Sequence, residues 1–458
     1  MKDMTTGNPL RQILIFAFPL LLANLCQQCY HIADTFVVGR YLGKEALGAV
    51  GGASGVLLFM TISMFLGLAN GMPVMTGQCF GAKDYINVRR SIALSLVVTG
   101  CISLPVMIAA GFTTEPVLRL MNTPENLIDG ASYYMKILYF CGVSNVLLLQ
   151  LTASVRALGD SRTPLYFMIF SCALNILLNF LFVACFEWGI PGVAWATVTA
   201  QIIPTICFFF YFRWKMPQFF PRFCDFNWTW SFVNAHLRIA LPAGFQHVIM
   251  AAGFAMVQRA VNSCGEDAVS GISASAPINA LIYMPLFAIN AALATFCSQN
   301  YGAQNLRRII IGVRRSAALV LIYTIAASAV MLVFAPGIAS AVLPDTEVNR
   351  AAIGYGVRFL RILAAFYPVL GGLFLFSPAL QGMGFPRYPF ISGIMEFVMR
   401  FAGALLLTRW LGFDGACLST PLAWFAATSV VAFDYIRKIR MLRREGITVR
   451  IERATETV

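Results

Sequence analysis

Long apolar runs alternate with short polar connections along the whole chain. The first run, residues 10–38, exceeds the about 20 residues that a helix needs to cross a bilayer, so it is predicted to be a membrane-spanning helix. The same pattern recurs to the end of the chain. It predicts twelve spanning helices, at residues 10–38, 46–75, 90–112, 131–155, 163–186, 190–212, 236–262, 273–298, 309–335, 354–382, 388–411 and 414–436.

One face of the first predicted helix is polar. Gln27, Tyr30, His31 and Asp34 have the spacing i, i+3, i+4, i+7, which places them on the same side of a helix. A carboxylate at this depth costs several kcal/mol unless it faces protein or water, so we predict that Asp34 is functional. The alternative is a carboxylate that only holds two helices together.

Composition supports a membrane protein. The 458 residues are 59% hydrophobic and only 12% charged, whereas ordinary globular chains have about 25% charged residues. The sequence therefore predicts an all-α polytopic membrane protein. Its net charge of +13 could also indicate nucleic-acid binding, but the basic residues lie between apolar runs, as in loops at the cytoplasmic face.

The distribution of Lys and Arg predicts the orientation in the membrane. If the termini and every second loop are cytoplasmic, that side holds 23 basic residues and the other side holds 9. Both termini are therefore predicted to be cytoplasmic, in a multi-pass protein of the plasma (inner cell) membrane. The basic tail, residues 437–458, would then lie near anionic lipid, and no nucleic-acid partner is expected.

The two halves of the sequence repeat each other. Five landmarks recur in the same order at an offset of 221 to 225 residues. They are Pro19 and Pro242, Gly43 and Gly265, Gln78 and Gln299, Gly159 and Gly384, and Gly189 and Gly412. We predict six-helix bundles at 1–212 and 236–436, joined by a cytoplasmic linker at 213–235. Such parallel repeats permit rocking about a central site.

Polar residues in the fifth and sixth predicted spans offer partners for Asp34. Asn175 and Asn179 are one helical turn apart, as are Thr197 and Gln201. A carboxylate, two carboxamides and a hydroxyl could together bind a proton or Na⁺. Ordinary hydrogen bonding between membrane helices is the alternative.

The second half carries different candidate groups. Glu396 is the only other acid deep in a span, and Arg400 lies at i+4 from it, so the two are expected to pair, either structurally or in a substrate cavity. Gln246 and His247 in the seventh span are further cavity candidates. Val257 stands at the repeat position of the first-half acid, so the predicted cation site belongs to the first half alone.

No catalytic constellation is present. The three histidines lack metal-site spacing and there is no P-loop, so we expect neither an enzyme, nor a cofactor, nor a metal site beyond possible Na⁺ at Asp34.

Together these residues resemble the multidrug and toxic compound extrusion (MATE) transporters. The resemblance lies in Gly7–Leu10, the helix around Pro19, the stretch Gln28–Thr35, and the paired loops that begin at Gln78 and Gln299. It implies a V-shaped molecule of two pseudo-symmetric six-helix bundles. Members of this family exchange a cytoplasmic drug or metabolite for an external proton or Na⁺.

The resemblance also implies roles for individual residues. Asp34 falls on the family's first-helix aspartate, and Asn175, Asn179 and Thr197 fall on its first-bundle polar cluster. Pro19 falls on a proline that permits helix bending. Some members have a second aspartate where Asn179 stands here, which leaves one ionisable group in this cluster.

The expected function is therefore a cation-coupled antiporter, driven by H⁺ or Na⁺, that exports small, often cationic, organic compounds by alternating access. We expect a monomer in membrane lipid. A lipid-linked oligosaccharide flippase of the same superfamily is the alternative. It should have more spans or an Arg-rich cavity, whereas Arg400 is the single deep Arg of this sequence.

Overall fold

The computed structural model describes residues 3–51, 53–121, 123–342 and 349–446, and every secondary-structure element in these residues is helical. The helices are α1 Pro9–Val37, α2 Gly43–Gly51, α3 Ala53–Gly71, α4 Pro73–Gly81, α5 Tyr85–Leu120, α6 Glu125–Phe140, α7 Val143–Ala157, α8 Arg162–Asn179, α9 Gly189–Lys215, α10 Trp230–Asn262, α11 Glu266–Gly302, α12 Leu306–Val342, α13 Arg350–Ala364, α14 Tyr367–Gly382, α15 Arg387–Leu411 and α16 Phe413–Glu445. Of the predicted basic tail, residues 437–445 continue α16, and 447–458 lie outside the described residues.

The described helices confirm an all-helical polytopic fold. Ten helical segments are long and apolar enough to span a bilayer, and the number rises to twelve if each of two bent helix pairs is counted as one span. One pair is α6 and α7, with a bend of 49°, and the other is α13 and α14, with a bend of 51°. Each pair replaces one predicted straight span, and the two pairs occupy corresponding places in the repeat.

The second predicted span is also divided. Helices α2, α3 and α4 cover this part of the first half, whereas α11 crosses the corresponding part of the second half as one helix. The break before α4 falls at Pro73, the first residue of that helix, where a proline's missing N–H leaves no helical bond unmade. The spanning segment ends at Gly81, six residues beyond the predicted end at 75.

The connection between the halves is shorter than the predicted linker at 213–235. Helix α9 continues to Lys215, where Arg213 and Lys215 complement the negative end of the helix dipole, and α10 already begins at Trp230. A short 3₁₀ turn, Phe223–Phe226, lies between them. It is anchored to α5 by an ion pair of 3.0 Å between Arg89 Nε and Asp225 Oδ2.

The described chain divides into two compact units. Unit 1 contains Phe18–Gly244, and unit 2 contains Met4–Ala17 together with the chain from Phe245 onward. The first part of α1 thus belongs with the second-half helices, and the first part of α10 belongs with the first-half helices. Neither assignment follows from the positions of the repeats in the sequence.

Small residues allow close helix packing inside each unit. In unit 1, a Cβ added to Gly71 of α3 would lie 2.6 Å from the Cα of Ala240 in α10. In unit 2, a Cβ at Gly403 of α15 would lie 2.8 Å from the Cβ of Ser419 in α16. Close backbone approach at small residues is a usual way for membrane helices to associate, because hydrophobic burial gives no driving force in lipid.

Candidate functional site

Two helices of unit 1 carry the main polar side chains, and both change geometry beside them. Helix α1 runs unbroken through Pro19 and passes into a π-helical turn at Val38–Leu42, just after Asp34. Helix α8 ends at Asn179 and passes directly into a second π-helical turn at Phe180–Cys185. Such π-helical insertions are frequent at functional sites.

Five side chains form one hydrogen-bonded chain in unit 1. Asn179 Nδ2 donates to Asp34 Oδ1 and also to Asn175 Oδ1, the latter at 3.0 Å. Asn175 Nδ2 donates to the hydroxyl of Tyr30 at 3.4 Å. That hydroxyl donates in turn to Thr197 Oγ1 at 3.5 Å. Helices α1, α8 and α9 therefore bring together a single carboxylate, two carboxamides and two hydroxyl groups.

This polar chain is mostly buried, and one of its hydrogen-bond acceptors has no partner among the described residues. Asn175, Asn179 and Thr197 are buried, whereas Asp34 is partly exposed. Asn179 Oδ1 is buried and has no hydrogen-bond partner among the described residues. Since a buried acceptor without a partner is costly, this oxygen is suited to a bound cation or a proton donor. The Asp34 carboxylate beside it can take up a proton or contribute oxygen ligands to Na⁺.

The other first-half candidates lie outside this polar chain. Gln27 and His31 are exposed, and Gln201 is half-buried. The His31 ring packs edge-on against the Tyr30 ring, with 5.2 Å between the centroids. Within the described residues, no side-chain hydrogen bond joins Gln27, His31 or Gln201 to the polar chain.

A buried ion pair lies in unit 2. Arg400 Nη2 is 2.5 Å from Glu396 Oε1, and both side chains are almost completely inaccessible, with exposures of 1% and 2%. The Arg400 guanidinium also lies over the Phe254 ring, 4.0 Å from its centroid. Gly253 leaves room for it, because a Cβ there would be 3.3 Å from Arg400 Cδ.

Arg400 is incompletely satisfied. Its Nε, Nη1 and Nη2 atoms are buried and make no hydrogen bond that meets normal geometry with any described residue. A guanidinium has five N–H donors, and one carboxylate can accept only some of them. The guanidinium could therefore donate further hydrogen bonds to a ligand that reaches it from a cavity.

Gln246 and His247 are neighbours in α10, and Gln246 is the one that lies against the helix of the ion pair. Gln246 packs against α15, since a Cβ at Gly393 would lie 2.8 Å from Gln246 Cγ. His247 is half-buried and makes no side-chain hydrogen bond within the described part of the chain. Gln246 thus contacts the helix of the ion pair, while no hydrogen bond between described side chains connects His247 to that helix.

One polar cluster in unit 2 was not predicted from the sequence. Tyr367 OH donates to Asn279 Oδ1 at 2.7 Å, and Asn279 Nδ2 donates to Tyr283 OH at 2.7 Å. Tyr283 also packs edge-on against Trp424, with 6.1 Å between ring centroids. The signal that could have found it is the i, i+4 spacing of Asn279 and Tyr283 inside an apolar span.

Comparisons with known proteins agree with this architecture. The family model described as MatE matches twice, at residues 19–181 and at residues 242–406. The "Probable multidrug resistance protein YpnP" of Bacillus subtilis (strain 168) is 30% identical over 439 residues, which is 95% of this chain and 96% of that protein.

Solved structures share the fold. One, described as the "Outward-facing conformation of a multidrug resistance MATE family transporter of the MOP superfamily", superposes with a TM-score of 0.89 at 20% identity, covering 96% of this chain and 98% of that chain. Another, described as "MATE in the bent conformation", gives a TM-score of 0.88 at 21% identity, with coverages of 97% and 98%.

Proposed function

Because the chain belongs to the MATE family of multidrug efflux transporters, we propose that it exports small organic molecules in exchange for a H⁺ or Na⁺ that binds at Asp34. The observation that carries this proposal is the polar chain of unit 1. It ends at one partly exposed carboxylate, that of Asp34, and leaves the buried Asn179 Oδ1 without a partner among the described residues. A cation bound there would satisfy that oxygen and neutralise the carboxylate at the same time.

The exchange follows from that change in charge. With the protein open to the outside, Asp34 binds the cation, the cavity loses a negative charge, and a cationic substrate leaves. With the protein open to the cytoplasm, the cation is released and the charged carboxylate favours substrate. The coupling free energy is set by the ratio of the substrate affinities in the two charge states. This ratio is typically about 5- to 150-fold in this kind of linkage.

Pro19 is proposed to let α1 respond to the cation. A proline removes one backbone donor from a helix, so the helix can bend there at lower cost than elsewhere. Here α1 is continuous through Pro19, while a solved relative is described in a bent conformation. Bending at Pro19 would change the position of Asp34 relative to the Asn175 and Asn179 side chains.

The second-half candidates are proposed to contribute to substrate binding. The Glu396–Arg400 pair, with Gln246 on the neighbouring helix, gives unit 2 a polar patch in an apolar interior. Gln27, Tyr30, His31 and Gln201 would supply polar contacts in unit 1. His247, which follows Gln246 in α10, would supply a further polar group in unit 2.

We propose the orientation in the membrane from the charge distribution. Cytoplasmic termini place the basic starts of α5 and α12 at the inner face of the plasma membrane. Export then runs from the side of the chain termini to the opposite side.

The proposal is tested by efflux from proteoliposomes that contain the purified protein and a fluorescent cationic dye. An imposed proton gradient or an imposed Na⁺ gradient should drive efflux, and the matching ionophore should stop it. Protein-free vesicles are the control. Equal dye movement with and without either gradient would contradict cation coupling.

A further inference from the structure

A groove lies between the first part of α1 and helix α12, both of which belong to unit 2. Its volume is about 670 Å³, within the range of ligand-binding pockets. Its lining residues are Asn8, Leu10, Arg11, Leu14, Ile15, Arg315 and Ala318. None of the lining side chains is acidic.

The two walls of this groove are held together by specific bonds. Arg308 of α12 donates to the carbonyl oxygens of Met4 at 3.1 Å and of Gly7 at 2.6 Å, and also to that of Thr6. The Met4 side chain is buried. The start of the chain is therefore fastened to α12, so the groove is a built feature of unit 2.

The groove has a basic end and an apolar end. Arg11 and Arg315 are exposed, and neither forms an ion pair with any residue that the structure describes. Arg315 Nη1 lies 3.3 Å from Asn8 Oδ1, which bridges the two walls. Farther along both helices the lining is apolar, with Leu14 on one wall and Ala318 on the other.

The position in the membrane restricts what can occupy the groove. Arg11 lies in the first turn of α1, so the basic end is at the helix terminus and the apolar end points along the span. Leu14 and Ala318 are both exposed, so this wall is open to the surroundings of the helices. In a bilayer those surroundings are acyl chains.

We propose that this groove binds one anionic glycerophospholipid. Its phosphate lies between the guanidinium groups of Arg11 and Arg315, and one acyl chain lies against Leu14, Ile15 and Ala318. Arginine binds phosphate oxygens in a bidentate manner, and basic pockets between membrane helices bind anionic headgroups. A soluble phosphate would leave the apolar wall unused, and a zwitterionic lipid would add a cation beside two arginines.

Lipid binding is tested by titrating the purified protein in detergent with phosphatidylglycerol or phosphatidylcholine, with bound lipid counted by native mass spectrometry. The double substitution Arg11→Gln and Arg315→Gln should weaken phosphatidylglycerol binding roughly 10- to 30-fold. Each basic group near an anionic lipid is expected to contribute about 3- to 5-fold in affinity, and the variant removes two of them. The matched control is Arg307→Gln with Arg314→Gln. It removes two exposed arginines from the same helix outside the groove and should leave binding unchanged.

A second variant tests the apolar wall. Ala318→Trp keeps both arginines but fills the groove, so it should also weaken phosphatidylglycerol binding. This variant provides the test of lipid binding if the double arginine variant does not fold. Equal binding of both lipids, an equal loss in the control, or full competition by glycerol phosphate would overturn the proposal. So would a second copy of the chain found in the groove by cross-linking.

Discussion

Replacing Asp34 with asparagine is expected to reduce cation-driven efflux of a cationic dye to the level of protein-free vesicles. The substitution Asp34→Asn keeps the size of the side chain and an oxygen that can accept the hydrogen bond from Asn179. It removes the only group of the polar chain whose charge changes with cation binding. Because the coupling free energy arises from that change, nothing remains to drive the exchange.

The control for this prediction is another acid on a spanning helix. The Glu115 side chain of α5 is 41% exposed and forms an i, i+4 ion pair of 3.1 Å with Arg119. Glu115→Gln should leave efflux unchanged, and both variants should elute as folded protein in detergent. Normal gradient-driven efflux by Asp34→Asn would remove Asp34 from the mechanism.

Breaking the buried ion pair of unit 2 is expected to lower the free energy of unfolding strongly. Glu396→Gln leaves the Arg400 guanidinium buried without a counter-charge, and Arg400→Met leaves the Glu396 carboxylate in the same position. Each single substitution should lower the free energy of unfolding by about 3–5 kcal/mol. The double variant should lose less than either single variant, because it buries no isolated charge.

The measurement is unfolding of the four proteins in mixed detergent, followed by circular dichroism. Glu115→Gln again serves as the control, since Glu115 and Arg119 have the same i, i+4 spacing but side chains that are 41% and 57% exposed. It should lower the free energy of unfolding by only about 0.3–0.5 kcal/mol. If the two losses in the free energy of unfolding simply add in the double variant, Glu396 and Arg400 act independently.

Much of the first-half site could be predicted from the sequence because polar residues are conspicuous in apolar spans. The helical spacing of Tyr30 with Asp34, and of Asn175 with Asn179, placed each pair on one face. Their mutual contact depends on how α1 and α8 pack, which the sequence alone does not determine. The π-helical turns beside both helices depend on that packing too, and no residue pattern indicated them.

The helix breaks and the division into units were harder to predict. Helices α6 and α7 separate at Cys141 and Gly142, and α13 and α14 separate at Ala365 and Phe366, within runs that remain apolar. Hydropathy detects the length of such a run but not a bend in it. Likewise, the repeat located the two halves, whereas tertiary contacts decide that Met4–Ala17 belongs with unit 2.

Substrate and cation are proposed to compete for the protein through the charge of Asp34. The most direct measurement is the affinity of the purified protein for a fluorescent cationic dye while pH and Na⁺ concentration are varied separately. For the natural sequence, dye affinity should fall as the coupling cation increases, because that cation neutralises the carboxylate. The affinity of the Asp34→Asn variant should not respond to either cation. If the cation dependence of dye affinity is unchanged in that variant, Asp34 does not link cation binding to substrate binding.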